Sequence, residues 1–208
     1  MGTEIELTKH TSGLHMQKLS SCVTIFREPV SRILSCFYYR FASELNLAAT
    51  NSAFSCINNM TNQEIVDVLL RGRSRYGRGC MNEPFRIFSG IIDEDMINLL
   101  NASSSDSAFV YEATRLKVDS CLQLDFAYLD QSAALLDHFF PRLQGMLLSL
   151  PHVRTSASRC EPEQRIKELL FQMSRLEQRL YAHVTRRIRL AHRKISIQIQ
   201  KKYSNKSS

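Results

Sequence analysis

Apolar residues mark out a short list of elements along the chain. Cys22-Val23-Thr24-Ile25-Phe26 is a compact apolar, β-branched run and predicts a buried strand. Pro29 follows at the first position of a helix, with Ile33, Leu34, Phe37, Tyr38 and Phe41 forming a one-sided stripe. Thr61 and Glu64 form a capping box that opens a helix running to about Leu70. Short helices are predicted over Pro84–Ile92 and Asp95–Leu100, then a helix over Tyr111–Asp119. Cys121 to Leu129 predicts a second strand, and Asp130 caps a helix with Ala133, Leu135, Leu136, Phe139 and Phe140 inward, closed by Pro141. After Pro162 comes the longest stripe: Ile166, Leu169, Leu170, Met173, Leu176, Leu180, Tyr181 and Val184 share one face.

Between these elements the pattern lapses. Residues 1–20, Asn46 to Asn59, Arg71 to Gly79, Ser103 to Ser107 and His152 to Glu161 are polar or rich in small residues, and read as loops. Each strand leads directly into a helix. That order predicts an α/β fold, helix-rich, with a small parallel sheet flanked by helices.

Charge changes the picture at one end only. The net charge of +7 resides in residues 178–208, which hold nine Lys/Arg and no Asp/Glu, leaving 18 basic and 20 acidic residues before them. The chain is therefore expected to divide into a near-neutral body, 1–177, and a basic helix end and tail, 178–208. Basicity confined to a tail argues against a nucleic-acid-binding domain, whose basic residues spread over a face. It reads as a solvated helix end, or as a contact with phosphate, sulfate or anionic lipid. No run approaches the roughly 18 apolar residues of a membrane span, and the polar, acidic start carries no export signal.

Six cysteines show neither a C-x-x-C pair nor zinc spacing. Cys22, Cys36 and Cys121 lie in apolar runs and read as buried thiols. Cys56 and Cys80, in polar surroundings, are the candidates for a disulfide in an oxidising compartment. Sequons beginning at Asn59, Asn101 and Asn205 suit a secretory lumen.

The candidate chemistry sits where the first strand meets its helix. The first N–H groups of a helix lack intrahelical partners, and its dipole adds positive charge, so that end attracts anions. Arg27 adds a planar guanidinium, and Ser31 and Ser35 supply hydroxyls on one face. A phosphate held by both Arg27 and Ser35 would lie alongside the helix. Neither G-x-x-x-x-G-K-[ST] nor G-x-G-x-x-G occurs, which disfavours common nucleotide triphosphatases and dinucleotide enzymes.

The run from Val23 to Tyr39, centred on Arg27-Glu28-Pro29-Val30-Ser31-Arg32-Ile33-Leu34-Ser35, resembles the 3′-phosphate motif of the Golgi carbohydrate sulfotransferases, nearest the heparan sulfate and uronyl 2-O-sulfotransferase type. His10 to His15, Asn82 to Gly90, Leu124 to Pro141, His152 to Ser156 and the helix after Pro162 are similar to further segments in the same order. The resemblance implies a P-loop-like sulfotransferase fold. It also implies transfer of a sulfonate from 3′-phosphoadenosine 5′-phosphosulfate (PAPS) to a hydroxyl of a glycosaminoglycan-like carbohydrate in the Golgi, with no metal. Arg27 and Ser35 would hold the 3′-phosphate; Arg154, Thr155 and Ser156 would close over the nucleotide; His10, or less directly His15, would be the base. A loop of the P-K-x-G-T kind, which holds the 5′-phosphosulfate in that family, has no counterpart before His10. The resemblance therefore implies the C-terminal part of such an enzyme, lacking that loop, the first strand and a membrane anchor. The alternative expectation is a noncatalytic helical module binding an anionic partner through its basic tail.

Overall fold

The structure, a computed structural model, describes residues 22–39, 56–71, 80–89, 104–149 and 160–204. Two strands, β1 (Val23–Phe26) and β2 (Leu122–Asp125), pair in parallel, with Val23 opposite Leu122 and Phe26 opposite Asp125. The helices are α1 (Pro29–Phe37), α2 (Asn62–Arg71), α3 (Glu83–Ser89), α4 (Ser104–Asp119), α5 (Leu129–Phe139), α6 (Met146–Ser149), α7 (Gln164–Met173) and α8 (Arg175–Ser204). The helix-rich fold with a small parallel sheet is thus present. Short 3-10 turns occupy Ile57–Asn59, Phe126–Tyr128 and Pro141–Leu143.

The chain forms two compact units. Among described residues, one contains 22–26, 115–149 and 183–204, and the other 27–71, 80–89, 104–114 and 160–182.

In the sheet-containing unit, β2 is buried along its whole length and packs on α5, which also packs on α6. β1 is only half covered: Phe26 is buried, but Val23 and Ile25 are exposed. This corrects the expectation of a fully buried first strand. With a single neighbour among the described strands, β1 buries one face, and its β-branched composition reflects sheet propensity more than depth. Ser132 of α5 fastens the strand end: its Oγ accepts from the Asp125 N–H at 2.8 Å and donates to the Asp125 carbonyl at 3.0 Å. The expected Asp130 cap is replaced. Asp125 Oδ1 accepts from the Ala127 N–H at 2.9 Å, closing a 3-10 turn where the strand was expected to continue, and α5 starts after Tyr128.

The helical unit has a core of Ile33 and Phe37 from α1, Ile65, Val68 and Leu69 from α2, and Ile166 and Leu170 from α7. The Thr61–Glu64 capping box forms in full: Glu64 N–H donates to Thr61 Oγ1 at 3.2 Å, and the Thr61 N–H donates to Glu64 Oε2 at 2.7 Å. The single long helix expected after Pro162 is two. Ser174 Oγ donates to the Leu170 carbonyl at 2.7 Å, and its backbone leaves helical geometry there, separating α7 from α8. The polar break expected at 103–107 is helical from Ser104, because Ser and Asp suit a first turn as well as a loop.

All six cysteines are paired: Cys22–Cys121 in the sheet-containing unit, Cys36–Cys80 and Cys56–Cys160 in the helical one. Buried thiols at Cys22, Cys36 and Cys121, and a Cys56–Cys80 bridge, are therefore corrected. Bridged sulfur is as apolar as a thiol, so apolar surroundings do not separate the two states.

Candidate anion-binding sites

Two places are candidates for anion binding: the start of α1, where the sequence predicts it, and the second half of α8, where the basic residues concentrate.

Glu28 sits at the N-cap of α1. Its carboxylate accepts from the Val30 N–H at 3.0 Å and the Ser31 N–H at 2.7 Å, and from Gln178 Nε2 at 3.2 Å. The donors expected to await an external anion are thus held by the chain's own carboxylate. Burial pushes the Glu28 carboxyl upward, but the Ser31 and Val30 N–H groups and the Ser31 and Gln178 side chains outweigh it, and its pKa lies below the ordinary 4.5. One turn later Arg32 enters a buried cluster. It meets Glu177 Oε2 at 2.7 Å, Glu83 Oε2 at 2.8 Å and the Cys80 carbonyl at 2.9 Å. Glu177 also accepts from the Asn82 N–H. Burial raises the Glu177 pKa above 4.5, against the pull of Arg32.

Of the sequence-predicted residues, the structure describes Arg27 and Ser35. Arg27 is exposed, two residues before α1, and Ser35 is half-buried in its second turn. His10, His15, Arg154, Thr155 and Ser156 lie outside the described residues, as do Phe41 and the predicted Asp95–Leu100 helix. A groove of about 640 Å³ runs between α1 and α7, floored by Val30, Leu34 and Phe171. Its rim carries Glu161, Glu168 and Lys167, and Lys167 is paired with Glu161 at 2.6 Å. Such a rim does not suit a polyanionic nucleotide. Among the described residues, no cluster of His, Cys, Asp and Glu could hold a metal ion.

The second site lies in the sheet-containing unit. From His183 to Ser204, α8 holds no Asp or Glu. Its inner face buries Val184, Ile188 and Ile195. Asp119, at the end of α4, anchors the same side: Oδ1 meets His183 Nε2 and Arg187 NH1, each at 2.8 Å, and Oδ2 meets Arg115 NH1 at 2.8 Å. Arg189 lies over the Tyr128 ring, 4.7 Å from its centroid. Facing outward are Arg186, Arg193, Lys194 and Lys201, all exposed. The sequence shows this charge. It does not show which bases are used internally, because Asp119 is 64 residues from His183.

No protein-family model matches the chain, and neither does any curated protein or solved structure. The expected description as a Golgi membrane glycoprotein, a PAPS-dependent sulfotransferase of carbohydrate or glycosaminoglycan, is corrected on those findings, which carry none of it. No helix among the described residues is long and apolar enough to cross a membrane. What is shown is a helix-rich fold with a two-stranded parallel sheet.

Proposed function

We propose that this chain is a noncatalytic helical module that holds an anionic partner through the basic second half of α8. The observation that carries it is the sorting of charge on that helix: one side is spent on the apolar core and on Asp119, while Arg186, Arg193, Lys194 and Lys201 face outward with no acid among them. At the other candidate site, Glu28 supports a structural role for the start of α1, since its carboxylate already takes the two N–H groups. The three disulfides support maturation in an oxidising compartment, so the partner is sought outside the cytosol.

The test is binding of the full chain to heparin, used as a polyanion probe, across a salt series. Binding is expected to weaken steeply with salt, as counterion release requires, and to be lost when Arg186, Arg193 and Lys201 are all changed to Glu. Salt-insensitive binding, or none, overturns the reading. So does thermal stabilisation by adenosine 3′,5′-bisphosphate that vanishes in Arg27→Ala, because it would return the function to the start of α1.

A further inference from the structure

The outer stripe of α8 carries more than charge. Leu190 is 47% exposed and Ile197 42%, one heptad apart on the same side of the helix. Around Leu190 stand Arg186 four residues before, and Arg193 and Lys194 three and four residues after. Ile197 has Arg193 and Lys194 on one side and Lys201 on the other. Positions three and four apart are neighbours on a helix, so each aliphatic side chain is ringed by cations.

We infer that this stripe docks on an anionic lipid surface, with Leu190 and Ile197 entering the headgroup boundary and Arg186, Arg193, Lys194 and Lys201 reaching the phosphates. The inference rests on the basic-helix reading above and names its partner. A rod-like polyanion rewards the four cations but leaves both aliphatic side chains in water. A bilayer rewards both kinds of residue together. Long basic side chains suit that setting because their stems lie along apolar surface while their heads reach outward to the interface. A partner helix fits less well. A coiled-coil seam needs apolar residues sustained over about three to four heptads. Here the seam offers two rungs, with Arg193 and Lys194 at the positions between them. The helix lies on the surface and does not span it.

The decisive experiment is cosedimentation of the full chain with phosphatidylcholine vesicles, with and without phosphatidylglycerol, run beside heparin retention. Binding is expected only to the phosphatidylglycerol vesicles. Leu190→Ser with Ile197→Ser should weaken it roughly tenfold or more and leave heparin retention unchanged. Both side chains are exposed, so the double variant is expected to melt like the parent protein. Arg193→Glu with Lys194→Glu should weaken both kinds of binding. Serine substitutions without effect on vesicle binding, or equal binding to neutral vesicles, overturn the inference. Retention on heparin or duplex DNA with no vesicle binding overturns it while leaving the basic-helix reading intact. Failure to bind either probe overturns both.

Discussion

Arg32 of α1 and Glu177 of α8 form a two-nitrogen pair: Nε and NH2 reach the same carboxylate at 3.2 and 2.7 Å, with side chains 15% and 1% exposed. The pair closes over residues 80–83, since Arg32 also takes the Cys80 carbonyl and Glu83, and Glu177 takes the Asn82 N–H. Removing one member strands the other in a buried place. Glu177→Ala or Arg32→Ala is therefore expected to cost about 3–5 kcal/mol in urea unfolding. Arg32→Lys should fall between, because an ammonium keeps the charge but loses the planar fork. A Glu177→Ala variant unfolding at the parent urea midpoint would show that the cluster does not hold the fold.

Glu28 gives a pH-dependent prediction. Its pKa is lowered in the folded chain, so its contribution is present above the ordinary value of 4.5 and disappears as pH falls below that value through the folded one. Glu28→Ala should cost about 0.5–2 kcal/mol at neutral pH, the usual loss for an N-cap. The gap between parent and variant should shrink as the solution is taken below pH 4.5. Denaturant titrations of both proteins across that range read the difference directly. A gap that widens in acid would contradict the cap assignment.

How much of this was legible in the sequence follows the range of each interaction. The Thr61–Glu64 box and Pro29 at the start of α1 depend on neighbours three or four residues apart, and both are where the pattern predicts. The strand–helix order likewise gives the parallel pairing of β1 and β2. What escaped detection depends on distant partners. Arg32 reads as one more surface base until Glu177, 145 residues away, is placed beside it. Cys22 and Cys121 each sit in an apolar run, and nothing local says the two runs lie side by side. Pro29 and the apolar stripe after it predict the helix entry, yet local sequence does not reveal that Glu28 turns its carboxylate onto the N–H groups that follow it.

The disulfides make a third prediction. Cys22–Cys121 and Cys56–Cys160 close loops with separations of 99 and 104 residues, and Cys36–Cys80 one of 44. Loop closure on that scale restricts the unfolded chain, and losing a single bridge is expected to cost about 2–5 kcal/mol. Reductant should lower the melting temperature, and a non-reducing digest should yield these three pairings by mass spectrometry. Recovery of a peptide joining Cys56 to Cys80 would contradict them.

Asp119 tests whether the basic half of α8 is held in the sheet-containing unit by charge as well as by Val184, Ile188 and Ile195. Its carboxylate faces His183, Arg187 and Arg115 at once, with its side chain 14% exposed. Asp119→Asn keeps the shape but removes the negative charge that the two guanidiniums share. The expected loss is about 1–3 kcal/mol, the cost of leaving charged hydrogen-bonding groups poorly matched. It should appear locally as faster amide hydrogen exchange along 183–204, more than in α1 or α7. Restoring the hydrogen bonds without the charge is not enough, so exchange in Asp119→Asn should exceed that in Asp119→Glu. If residues 183–204 exchange at parental rates in Asp119→Asn, the apolar face alone secures the helix, and Asp119 serves only to neutralise the cations beside it.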